Sequence, residues 1–329
     1  MRSVLLSLAL AAATLACLPD KALALCEGTD LMADLTQAEA AELATRVAAT
    51  PYPSGLLWRA QKGDTGITIF GTYHFRHDLT AAHLAALTPL IDHAGIVYLE
   101  TGGDDMDQAK RAMASEPELM FITQGPTLID QLGPEDWQTY SEAMADRAIP
   151  GFMAAKFKPF FGSMLLSLGP CVIRSGLMDQ PGIDVLINNH AAEKAQSLED
   201  WRTMLGMIDN MPQDEQIEML RASFAYIDQA DDLTHTLLQR YLDQDIARLW
   251  EYMKMESLKA GFTAEEFAIM EKPLLQDRNR AWSQKLVAEI GGKEAFVAVG
   301  AGHLPGEAGL LNLLAEQGFE VKRLPFATR

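Results

Sequence analysis

Cysteine is scarce in this chain, three in 329 residues, and basic residues are outnumbered, 27 Lys and Arg against 45 Asp and Glu. The resulting formal net charge of −18 argues against nucleic acid and anionic membrane surfaces as partners. Beyond the first two dozen residues no stretch is long and apolar enough to span a bilayer. There is no His-Glu-x-x-His, so the local zinc-protease signature is absent, and no Ser sits in a Gly-x-Ser-x-Gly elbow. No period marks a solenoid, and no segment is of low complexity. The length allows one large domain or two, with ample core either way.

What is present begins at the N-terminus. Met1 and Arg2 lead into an uncharged run over residues 4–18, suited to the core of a signal peptide and short for a membrane span. Ala22-Leu23-Ala24 supplies the small residues that a signal peptidase needs. Residues 1–24 are therefore expected to be removed, leaving 25–329 as one domain exported to the bacterial periplasm. A lipoprotein signal through Cys17 fits less well, because Thr14 stands where such a signal wants Leu. Loss of Arg2, Lys21 and Asp20 takes the net charge to about −19 on about 305 residues. Cys26 and Cys171 then remain as an even pair in an oxidising compartment, so a single disulfide is expected, with two free buried thiols as the alternative.

Two stretches organise the rest. Gly66-Ile67-Thr68-Ile69-Phe70-Gly71-Thr72-Tyr73-His74 has a relative near the other end, Ala295-Phe296-Val297-Ala298-Val299-Gly300-Ala301-Gly302-His303. Each is an apolar, β-branched or aromatic run, as in a buried strand, followed by Gly, two residues and His. Gly71 and Gly300 let the backbone turn or approach a ligand closely. The two histidines would stand at the carboxyl ends of strands, where open α/β sheets place their sites. One Gly-x-x-His is a weak signal; two, so far apart, predict one site built from both ends of the chain.

Between them the pattern reads as α/β (α+β-like). A helix is expected at 31–50, a strand at 56–60, and a hairpin into the first His strand. Leu84, Leu87 and Ile91 mark a helix, and Ile96-Val97-Tyr98-Leu99 a strand ending at Glu100, expected beside the His74 strand as a βαβ unit. From about 104 to 290 helices dominate, at 135–147, 183–194, 213–229, 234–258 and 264–290, interrupted by one strand-like stretch, Ala195-Gln196-Ser197-Leu198, ending at Glu199. The end returns to α/β, with a helix through Leu310 and Leu314 and a strand at 319–324. The expected architecture is a central mixed sheet from N- and C-terminal strands, with a large helical cap inserted between them over its carboxyl edge.

Ile69-Phe70-Gly71-Thr72-Tyr73-His74, Val97-Tyr98-Leu99-Glu100, Arg278-Asn279 and Val299-Gly300-Ala301-Gly302-His303-Leu304-Pro305-Gly306 together resemble the TraB/GumN family, in which motifs of these kinds recur in this order. Cys26-Glu27-Gly28, Cys171 and Leu198-Glu199-Asp200 are similar to its exported bacterial members. That family is similar to the Tiki proteases, described as metal-dependent, and more distantly to erythromycin esterases and a haem-binding lipoprotein group. His77 departs from the Asp or Pro that relatives often carry, and either extends the site or faces solvent.

Two imidazoles and a carboxylate, His74, His303 and Glu100, suit a divalent Mn, Co or Zn ion, or Fe, with open positions for hydrolysis. Glu100 would ligate or act as general base. Arg278 would hold a carboxylate or developing oxyanion, and with Asn279 would orient a peptide or small-molecule substrate. Glu199 and Asp200 read more simply as local caps or pairs. The expected function is an exported metal-dependent hydrolase, peptidase- or amidase-like. The alternatives are a metal-free esterase-type hydrolase, in which a His acts as base on water, and a periplasmic metal- or haem-binding protein without turnover.

Overall fold

A computed structural model describes residues 26, 28–209 and 211–328. The expected signal peptide, its cleavage position, Cys17 and Glu27 lie outside the described residues. Six strands form one mixed sheet in the order β4-β3-β5-β2-β1-β6. They are β1 Leu57–Lys62, β2 Thr65–Thr72, β3 Ile96–Leu99, β4 Ala195–Ser197, β5 Glu294–Gly300 and β6 Glu320–Arg323. β4, β3, β5 and β2 are mutually parallel, while β1 runs antiparallel between β2 and β6.

The parallel strands read as continuous apolar runs because helices cover both faces. Alternate residues divide between two cores. Phe70, Val97, Leu99, Phe296 and Ala298 meet Leu87, Ile91, Ile183, Ile187 and Tyr241 on one face. Ile67, Ile69, Tyr98, Val297 and Val299 meet Trp282, Leu286, Leu310 and Leu314 on the other. Helices Thr80–His93 and Ile183–Ala191 thus close one side, and Asp277–Ile290 and Leu310–Glu316 the other.

The α/β fold with its mixed sheet and inserted helical region agrees with the sequence, with five differences of detail. β3 lies beside β5 rather than β2, so the C-terminal His strand is wedged between the two N-terminal strands. β4, from inside the helical stretch, joins the sheet as an edge strand. The helix expected at 31–50 begins only at Gln37, because Thr36 and Glu39 form a reciprocal capping box there. The run expected at 234–258 is two helices, Ala230–Leu242 and Ile246–Lys259, separated at Gln244 with φ 58°. The stretch 264–290 is interrupted by a π-helical turn, Lys272–Gln276, at Pro273, whose missing N–H breaks the regular ladder.

The helical insertion has its own core of Leu128, Tyr140, Met144, Phe157, Leu166 and Leu220. Arg147, 1% exposed, donates there to the carbonyls of Ala143, Leu165, Leu166 and Leu168. Among the described residues no helix is long and apolar enough to cross a membrane.

Cys26 and Cys171 form the expected disulfide, with Cα atoms 5.7 Å apart across 145 residues of sequence. It ties the start of the described chain to the insertion. A closed loop of this length stabilises by about 4–5 kcal/mol in the chain-entropy account. The double variant Cys26→Ala/Cys171→Ala should accordingly lose several kcal/mol in urea unfolding, and unreduced mature protein without residues 1–24 should show no alkylatable thiol.

A second prediction concerns pH. His77 and His83 are buried side by side, ring centroids 5.1 Å apart. Among the described residues, His77 Nε2 and both ring nitrogens of His83 have no hydrogen-bond partner. Burial drives both rings from the ordinary 6.5 down to about 4, His77 further through His83. Their contribution to stability is full above about pH 6.5 and is lost as pH falls toward 4, because only the unfolded chain binds the protons. The slope is up to about 1.4 kcal/mol per pH unit for each ring. His77→Phe/His83→Phe should flatten the dependence of Tm on pH between 6.5 and 4; an unchanged slope would refute this account.

Candidate functional site

The carboxyl ends of the four parallel strands present, in spatial order, Glu199 after β4, Glu100 after β3, Gly300 and His303 after β5, and His74 after β2. β2 and β5 end level, Thr72 opposite Gly300. β5 then turns into a 3-10 segment, Ala301–His303, which carries His303 inward to 4% exposure. A Cβ on Gly300 would come within 3.1 Å of His74 Nε2 and 3.2 Å of Glu100 Oε1, so this glycine keeps the floor of the site open. Gly71 lets β2 close on the turn, where a Cβ would stand 2.8 Å from the Leu304 side chain.

Arg278 enters from the first turn of helix Asp277–Ile290. Its Nη2 donates to Glu100 Oε2 and to Glu199 Oε1, each at 2.6 Å. Its Nε donates to Glu199 at 3.0 Å. Its Nη1 donates to Leu274 O, inside the π-helical turn, at 3.0 Å and faces His303 Nε2 at 3.3 Å. The five N–H groups of a guanidinium are thus all engaged. The ring of Trp282 lies 4.6 Å beneath it, and Trp282 Nε1 donates to Glu199 Oε2 at 3.1 Å.

Glu100 Oε1 accepts Gly300 N–H at 2.7 Å and lies 3.8 Å from His303 Nε2. Burial opposes its charge, but His303, His74, Arg278 and the Gly300 N–H outweigh that and hold its pKa down at about 2. Burial drives His303 down to about 3, against the pull of Glu100, so its ring is neutral near pH 7. Asn279, 2% exposed, sets the tautomer. Its Nδ2 donates to the carbonyls of His303 and Ala308, so Oδ1 faces His303 Nδ1 at 2.7 Å and that nitrogen carries the proton. Nε2 is left with its lone pair toward Glu100 and Arg278.

His74 differs. Its side chain is 59% exposed, and its Nδ1 lies 3.1 Å from Asp184 Oδ2. The Asp184 charge raises its pKa to about 9. His77 is not part of this group. It is buried among Tyr73, His83 and Tyr241, and its Nδ1 accepts from Leu79 N–H.

His74, Glu100, Arg278, Asn279 and His303 therefore gather at one edge, while Asn279 reaches it only through the ring of His303. Glu199 and Asp184 are the two members that sequence reasoning did not assign to the site. Glu199 carried a signal, since it ends a strand-like stretch as Glu100 does. Asp184 carried none beyond an acidic residue at a helix start. Among the described residues no group of three or more His, Cys, Asp or Glu is already gathered closely enough to hold a metal ion.

The profile of the TraB/PrgY/gumN family matches residues 56–323, from the start of the first strand to the end of the last. The chain belongs to this family. Comparison with curated proteins and with solved structures gives no match. The region shared with the TraB/PrgY/gumN family spans all the strands and every side chain of the carboxyl-edge group.

Asn279→Ala should cost about 1–3 kcal/mol, the penalty of leaving buried partners unpaired, measured by urea unfolding. Asn279→Asp should raise the His303 pKa from about 3, because a carboxylate beside Nδ1 favours the imidazolium. NMR titration of His303 reads that shift.

Proposed function

We propose that this member of the TraB/PrgY/gumN family is an exported hydrolase acting on peptide or other amide or ester bonds. The observation that carries the reading is the convergence of His74, Glu100 and His303, from three strands, at one edge of the sheet on which His74 is exposed. Open α/β sheets bind ligands at that edge.

The donor chemistry fits a divalent ion of the Mn, Co or Zn type. Each imidazole has Nδ1 engaged by an Asp or Asn oxygen, the outer contact that orients metal-binding histidines. His74, His303 and Glu100 would hold the ion. Bound there, it would acidify water and polarise a carbonyl, offsetting the weak basicity of a carboxylate with a pKa of about 2.

Glu100 remains ionised through Arg278 and Gly300 N–H, and would either hold the ion or take the proton of the attacking water. His303 keeps a fixed, neutral ring beside it. Arg278, with every N–H engaged, acts first on Glu100 and Glu199, holding the two carboxylates apart and oriented. A substrate oxyanion would reach it only by displacing one of those bonds. The exposed ring of His74 lies on the open side, where a substrate can approach.

A second reading, a metal-free esterase-type hydrolase with a histidine as base on water, is favoured by one contact. Arg278 Nη1 occupies the lone-pair side of His303 Nε2 at 3.3 Å, where an ion's own charge would compete.

Elemental analysis of protein purified without chelators, paired with a panel of peptide and ester substrates with and without Mn, Co and Zn, separates these readings. The expected result is a bound divalent ion and turnover that chelation abolishes. Turnover without metal favours the second reading, and metal or haem binding without turnover on the whole panel removes the hydrolase. Glu100→Gln should lower kcat/KM by about 10²–10⁴. As a ligand Glu100 would also control occupancy, which should then fall about tenfold or more. Retention of both properties would remove Glu100 from the chemistry.

A further inference from the structure

We infer that Asp184, brought in by the helical insertion, is the positioning residue for His74. The role deepens the hydrolase reading and rests on it only for its effect on turnover; the contact itself is tested independently.

Two observations locate His74 against one corner of the insertion. Its ring nitrogen Nδ1 lies 3.1 Å from Asp184 Oδ2. Its backbone carbonyl abuts Gly182, where an added Cβ would stand 1.9 Å from His74 O. No side chain larger than hydrogen fits there. Asp184 has little freedom to move away, since it follows Ile183 on a helix whose Ile183 and Ile187 are fully buried in the sheet core.

The consequence for His74 is specific, and it comes from a different helix of the 104–290 stretch than the one that orients His303. A carboxylate only accepts hydrogen bonds, so Nδ1 must carry a proton. With Nδ1 engaged, the ring cannot flip about its Cβ–Cγ bond without losing that contact. Nε2 is thereby held over the Gly300 floor, toward Glu100. An exposed histidine on an otherwise unsupported strand end would sample several rotamers. Asn279 does the equivalent for His303, so the two imidazoles are oriented by different helices of the insertion: His303 from Asp277–Ile290, which leads into β5, and His74 from Ile183–Ala191. The insertion thus supplies a residue that contacts the site.

The test uses full-length mature protein with 15N-labelled histidine, the His74 signals being assigned by their loss in His74→Gln. Long-range 1H–15N spectra should show a hydrogen-bonded Nδ1 proton on His74 in the wild type. It should be lost in Asp184→Leu and recovered in Asp184→Asn, which keeps an acceptor oxygen. Turnover, measured on whichever substrate the panel yields, should fall about 10–100-fold in Asp184→Leu, with most of the loss recovered in Asp184→Asn. An Nδ1 signal unchanged in Asp184→Leu overturns the inference. So does loss of that signal with turnover intact. Failure of the hydrolase reading would show separately, as absence of turnover in a wild type whose His74 signals respond as described.

Discussion

One buried guanidinium holds the carboxyl edge of this sheet together. Glu100 and Glu199 end neighbouring strands, and without a cation between them their charges would repel in a poorly hydrated place. Arg278 supplies that cation in a planar fork that both carboxylates can share. Trp282 below and the π-helical turn behind fix its height and its angle. Breaking a buried pair of this kind leaves an uncompensated charge and typically costs about 3–5 kcal/mol. Arg278 is therefore as much a condition for the edge as a participant in what happens there.

The sheet explains why the site lies where it does. Four parallel strands bury both faces, and their carboxyl ends open into the one region where backbone leaves the sheet without immediate pairing. Two turns then treat their histidines differently. β2 runs out into solvent and leaves His74 exposed, whereas β5 curls through a 3-10 turn and sinks His303 onto Trp282, ring centroids 4.5 Å apart. The same local motif thus yields one neutral buried imidazole and one exposed ring beside a carboxylate. Their opposite pKa shifts follow from environment alone.

The strands, the two histidines, Glu100 and Arg278 were legible because each leaves a local mark: a continuous apolar run, a glycine, and a polar residue at its end. The disulfide was legible from parity. Spatial order was not, because nothing local says that β5 should separate β2 from β3. Glu199 had the right local mark but was discounted, since its partner lies 79 residues away in sequence. Asp184 and Gly182 matter only through tertiary contacts with His74. Helix ends failed for ordinary reasons: a capping box at Thr36, a left-handed residue at Gln244 and a proline at 273 each outweighed a smooth apolar period.

The strand order also fixes when the protein can become whole. β5 occupies a slot between two strands that precede it in the chain by some two hundred residues, pairing on both sides. Until that strand is made and threaded into place, β2 and β3 have no common neighbour, and each displays open hydrogen-bonding groups along one edge. Contacts of such sequence separation form slowly. A chain still being synthesised therefore lacks the strand that joins His74 to Glu100, and whatever the finished edge can do is withheld until β5 has arrived.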